Sequence, residues 1–202
     1  MTEAAVTTAA GRTVTTERGG TEPPLFELAA EVYVTAPPAA VYAVVSDLPR
    51  SGEWSPECVG GTWTAGRPAT AGAVFRGENL RSADVVAWAP VVRGTWFTEA
   101  EVVAAEPGVT FQWSMRDTSG RRQDSTWAYD IEPARGGSRL VHRFRMGTAT
   151  EGIRGITAEM GPDERARFFA EWSGKLAADL PRTLARIKDV VEGDGTGDAT
   201  PR

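Results

Sequence analysis

From position 26 to 35 polar and apolar residues alternate, with β-branched and aromatic side chains frequent, which predicts a strand. Pro37-Pro38 then opens a short helix, because proline is pre-organised for the first helical turn. Within it Val41, Val44, Val45 and Leu48 fall at i, i+3, i+4 and i+7 and make one buried face. Asp47 and Pro49 end that helix, and residues 50–54 predict a second short helical turn before Pro56. Beyond Cys58 the period becomes two. Alternating segments bounded by turn residues predict strands at 59–64, 73–79, 95–104, 109–115, 125–131 and 139–146. The links between the later ones are short, as antiparallel pairing requires. A long helix over 162–192 closes the pattern, its stripe formed by Phe168, Phe169, Trp172, Leu176, Leu180, Leu184, Ile187 and Val191. Pro181 lies inside it and predicts a kink.

Composition narrows the function classes. Lys+Arg number 22 against 27 Asp+Glu, a net charge of −5, which disfavours a nucleic-acid binder driven by phosphate contacts. One cysteine and one histidine exclude an intramolecular disulfide and the multi-Cys and two-His metal motifs, so neither metal nor other cofactor is expected. No apolar run of ~18 residues exists for a membrane span, and the start of the chain lacks the pattern of a secretory signal. A cytoplasmic protein is expected, with residues 1–24 and 193–202 as disordered tails and 25–192 as a single domain.

Several motifs carry a family likeness. They are Val34-Thr35-Ala36-Pro37-Pro38, Glu53-Trp54-Ser55-Pro56-Glu57-Cys58, Phe75-Arg76-Gly77-Glu78-Asn79 and Val102-Val103-Ala104-Ala105-Glu106-Pro107-Gly108. From Phe26 to about Glu192 the chain resembles the START-like (SRPBCC) helix-grip superfamily, in its polyketide cyclase/dehydrase and lipid-transport branch. The resemblance implies an α+β fold. It has a curved antiparallel sheet of about seven strands around a long C-terminal helix, two short helices after strand 1, and an apolar cavity between sheet and helix.

Strand alternation says which side chains face that cavity. Phe111, Trp113 and Met115 share a face, as do Trp127, Tyr129 and Ile131, and Leu140, His142, Phe144 and Met146. If residues 134–137 centre the hairpin, Tyr129 pairs with His142 and Trp127 with Phe144. The expected ligand walls are Trp54, Phe75, Trp96, Thr98, Phe111, Trp113, Trp127, Phe144 and Met146, with Phe169 and Trp172 from the helix. Imidazole titrates near neutrality, so His142 is the candidate base, with Tyr129 and Asn79 as hydrogen-bond donors. A rate rising with pH through one ionisation would follow. Each aromatic residue also reads as plain core, His142 as a core histidine, Cys58 as a small buried hydrophobe and Glu57 as a surface carboxylate or a group at the cavity mouth. The arginines Arg139, Arg143 and Arg145 alternate against Asp130 and Glu132, which reads as a neutralised outer face.

Segments 80–93 and 147–161 carry apolar residues on long connections, which serve as cavity covers or as contacts in a homodimer. The expected function is binding of a hydrophobic or aromatic small molecule by a cofactor-free, polyketide-type cyclase or dehydratase of secondary metabolism. The alternatives are a non-catalytic carrier or sensor of a lipid or other apolar ligand, and an interaction module docking its partner on 80–93.

Overall fold

The computed structural model describes residues 23–194; nearly all of both expected tails lies outside these residues. Seven strands form one antiparallel sheet: β1 Phe26–Val34, β2 Cys58–Ala65, β3 Val74–Arg81, β4 Gly94–Glu106, β5 Thr110–Arg116, β6 Arg122–Ala134 and β7 Gly137–Met146. Helix α1 (Pro38–Val45) and a 3-10 turn (Leu48–Glu53) follow β1, α2 (Glu151–Thr157) follows β7, and α3 (Pro162–Asp194) ends the described chain. The strand order is β1-β7-β6-β5-β4-β3-β2. The element order is the one the alternation pattern predicts, with α2 added, and the architecture is the helix-grip fold that the family likeness implies.

The central register is set by the two-residue turn Arg135-Gly136. Gly136 has φ of 79°, a conformation that costs glycine little, and Ala134 pairs with Gly137 beside it. Counting back along both strands puts Tyr129 opposite His142 and Trp127 opposite Phe144. On the outer face the polar residues pair off. Arg139 bonds Glu31 and Glu132, Arg143 lies 3.0 Å from Asp130, and Arg145 reaches Glu27 and Asp124.

Helix α3 continues on both sides of Pro181, although the ring removes one N–H donor and crowds the carbonyl of Ala177. Its stripe is buried at Phe168, Trp172, Leu176, Leu180, Leu184, Ile187 and Val191. The C-terminal half packs with Val34, Val41, Val45 and Leu140 into a core at one end of the molecule. The N-terminal half packs with Phe144, Met146 and Ile153 into a second core at the other end. The middle of the helix, from Trp172 to Thr183, faces the cavity described below.

Segment 82–93, the undecided connection of the sequence, contributes Val86, Ala89 and Val91 to that second core. Arg93 holds its shape by donating to the carbonyls of Ala83, Val86, Ala87, Ala89 and Val91. Trp88 donates its indole N–H to Glu171 of α3 at 2.8 Å. The apolar side chains proposed as a docking surface for a partner are therefore largely spent inside the molecule. Segment 147–161, read as a loop, contains α2, capped by Thr150 and tied to the β5–β6 connection where Thr118 donates twice to Glu151. Ile153 of α2 is buried beneath it.

Candidate functional site

A cavity of about 710 Å³ lies between the inward residues of β3 to β7, the 3-10 turn, α2 and the middle of α3. Nine of the eleven expected wall residues line it: Trp54, Phe75, Trp96, Thr98, Trp113, Trp127, Phe144, Met146 and Trp172. The two others do not. Phe111 points to the right face but is fully buried under Tyr42 of α1, whose ring meets it edge-on at 6.3 Å. Phe169 is one residue from Phe168, and a helix turns about 100° per residue, so only one of the two can face the core. Phe168 takes that place, and Phe169 lies beside a shallow surface depression with Met160 and Arg165.

The aromatic wall is continuous. Trp113 stacks with Trp127 at 6.4 Å, Trp127 lies 4.1 Å from Phe144, and the His142 ring stacks on Tyr129 at 4.5 Å. All three candidates for chemistry, His142, Tyr129 and Asn79, also line the cavity. Asn79 donates to Thr98 Oγ1 at 3.2 Å and to the Gly77 carbonyl at 3.4 Å. The Tyr129 hydroxyl takes a hydrogen bond from Trp54, and burial pushes its pKa well above the usual phenol value. The hydroxyl therefore keeps its proton and can serve as a donor.

His142 differs from the sequence expectation. Burial among apolar rings pushes its pKa down to about 3, so the imidazole is neutral throughout the physiological range. Both ring nitrogens are covered and neither has a hydrogen-bond partner. A base titrating near neutrality does not fit this setting, and no rate rising with pH through an ionisation near 6.5 follows from it. Cys58 lines the same cavity, but its sulfur lies 3.1 Å from Ser51 Oγ and 3.4 Å from the Gly60 carbonyl, so it forms no pair with His142.

Glu57, one of whose two readings was a group at the cavity mouth, lines the cavity together with Arg81, Lys175 and Asp179, which sequence reasoning missed. Glu57 accepts from Arg81 and, at 2.9 Å, from Lys175, while Lys175 also lies 2.9 Å from Asp179. The Arg81 guanidinium sits over Trp96 at 4.3 Å and over Trp172 at 5.2 Å. The signal was present: Phe75, Gly77, Asn79 and Arg81 continue one alternation, and Lys175 and Asp179 sit three and seven residues beyond Trp172 on one helix face. Among the described residues no group of three or more His, Cys, Asp or Glu could hold a metal ion. No described helix is long and apolar enough to cross a membrane.

The family model described as polyketide cyclase/dehydrase and lipid transport matches residues 26–192. No curated protein matches the sequence. Among solved structures, a polyketide-cyclase-like protein from Corynebacterium glutamicum is 27% identical, with a TM-score of 0.57 over 87% of this chain and 97% of that one. The di-domain aromatase/cyclases StfQ, of the steffimycin biosynthetic pathway, and BexL are 14% and 18% identical, with TM-scores of 0.60 and 0.58 over 84% and 87% of this chain. This chain covers 51% of each of those two, and at such identities they are similar in fold alone.

Proposed function

The chain belongs to the polyketide cyclase/dehydrase and lipid transport family, and from that premise we propose that it binds a hydrophobic or aromatic polyketide-type molecule and acts on it as a cofactor-free cyclase or dehydratase. The observation that carries this reading is the cavity itself. Its volume suits a fused-ring ligand, and five of the seven tryptophans line it beside a few hydrogen-bonding groups. Ring closure of a flexible chain gains most from being held in a reactive fold away from water, which such walls supply. Tyr129 can steady a developing enolate oxygen as a donor, and Asn79 can join it by giving up its long 3.4 Å bond to the Gly77 carbonyl. His142 contributes as a neutral ring of the wall.

The covered nitrogens of His142 favour a second reading, a carrier that only binds. Two measurements test and separate the readings. A naphthalene-type fluorescent probe should bind and quench tryptophan emission, and Trp127→Ala should weaken it about tenfold through lost apolar and ring contact. Absence of any binding would sink both. Incubation with a linear β-polyketone should then give a cyclised or dehydrated product; recovery of the bound compound unchanged favours the carrier. Native mass spectrometry of the protein from its own host would show which molecule it holds.

A further inference from the structure

The charged part of the wall carries information about the ligand that the aromatic part does not. Arg81 is almost entirely buried, and its carboxylate partner Glu57 also holds Lys175. Asp179, also buried, takes the other side of Lys175 and lies 3.8 Å from Arg182. These four wall groups sum to no net charge. Both Trp96 and Trp172 already face the guanidinium of Arg81. Elsewhere on the wall Arg116 lies near Glu99 and Glu101, Asp117 near Arg121, and Arg76 is the register partner of Glu99. The lining as a whole has four cations, Arg76, Arg81, Arg116 and Lys175, against the carboxylates of Glu57, Glu99, Asp117, Glu151 and Asp179.

We propose that the cavity selects an uncharged ligand, and that Glu57 sets this selectivity by occupying the buried Arg81 and the half-buried Lys175 of the wall. This rests on the ligand-binding reading above and adds the charge class of the ligand. A carboxylate entering the cavity would lose its hydration and find Arg81 and Lys175 already taken. An ammonium would also lose its hydration, and Glu57, already bonded to Arg81 and Lys175, offers it no free carboxylate. A ketone, ester or phenol enters without that desolvation cost and uses the donors Tyr129 and Asn79. The class indicated is a neutral oxygenated aromatic or polyketone, as distinct from a free fatty acid.

The test compares three probes of one ring system at pH 7: 2-naphthol, 2-naphthoate and 2-naphthylmethylammonium. Wild type should bind 2-naphthol at least about tenfold more tightly than either ion, the size of one charge-assisted hydrogen bond forgone. Glu57→Gln removes the carboxylate from Arg81 and from one side of Lys175, so the affinity for 2-naphthoate should rise about tenfold relative to that for 2-naphthol. Reading affinity as a shift in melting temperature confirms in the same experiment that the variant is folded. Lys175→Met tests the opposite sign and guards against a Glu57 variant that does not fold: there the ammonium should gain and 2-naphthoate should not. Equal binding of 2-naphthoate and 2-naphthol by wild type, or unchanged ratios in both variants, would overturn the assignment. Failure of all three probes on wild type would instead remove the ligand-binding reading, and this inference with it.

Discussion

Phe111→Ala should lower folding stability by about 3–5 kcal/mol, the range for deleting a large buried aromatic side chain, yet leave ligand affinity of the folded fraction nearly unchanged. The ring has no exposed surface and packs with Leu48, Ala73, Phe75 and Val102 on the sheet side of Tyr42. Removing it leaves a void that Tyr42 and Trp113 can fill only in part, so lost transfer energy and cavity cost add. Urea unfolding measures the first effect, and probe titration of the folded protein measures the second. A tenfold loss of affinity without a stability change would place Phe111 in the ligand wall after all.

Acid should destabilise the fold through His142, by an amount on the order of 4–5 kcal/mol between pH 6.5 and 3, at about 1.4 kcal/mol per pH unit. The sign follows from which state binds the proton. Unfolded, the imidazole protonates below its ordinary value of 6.5; folded, it does so only near 3, because burial opposes the charge. Stability from this group is therefore complete above pH 6.5 and is lost as pH falls through that window. Carboxylates held low by their partners also lose stability in acid. Glu31 and Glu192, held chiefly by hydrogen bonds from Arg139 and from the Thr35 backbone, are examples, but they titrate below 4.5. The interval from 6.5 to 5 thus belongs mainly to His142. Denaturant unfolding at pH 7, 6 and 5 should show the slope in wild type and its disappearance in His142→Leu. An identical slope in both proteins would mean that the folded ring is hydrated and titrates normally.

The sheet was legible because each strand has one wet and one dry face, so period two shows directly in residue type. Even the pairing of Tyr129 with His142 was legible on the condition that residues 134–137 centre the hairpin, and they do. What a face cannot say is what lies above it. Phe111 and Trp113 alternate identically, but only Phe111 sits under Tyr42, a contact made by a helix seventy positions away. Helix α2 escaped notice because Gly152 and Gly155 depress its helix propensity; its cap and its ties to Thr118 and Gln123 offset that cost. Arg81 escaped because arginine ordinarily signals surface. Its burial depends on Glu57, and the two come together only when β2 and β3 pair.

The strand order also ranks the sheet by the length of chain each pairing closes. From β2 to β7 every neighbour in space is the next strand in sequence, so five pairings close short loops and cost little entropy. The sixth joins Phe26 to Met146 and ties the beginning of the described chain to its last strand. Such a junction returns nothing until almost the whole domain has been laid down, and it makes β1 the strand with the most distant partner. Because β1 borders the strand that carries His142, Phe144 and Met146, the wall of the binding chamber is braced on its outer side only once the two ends of the domain have met.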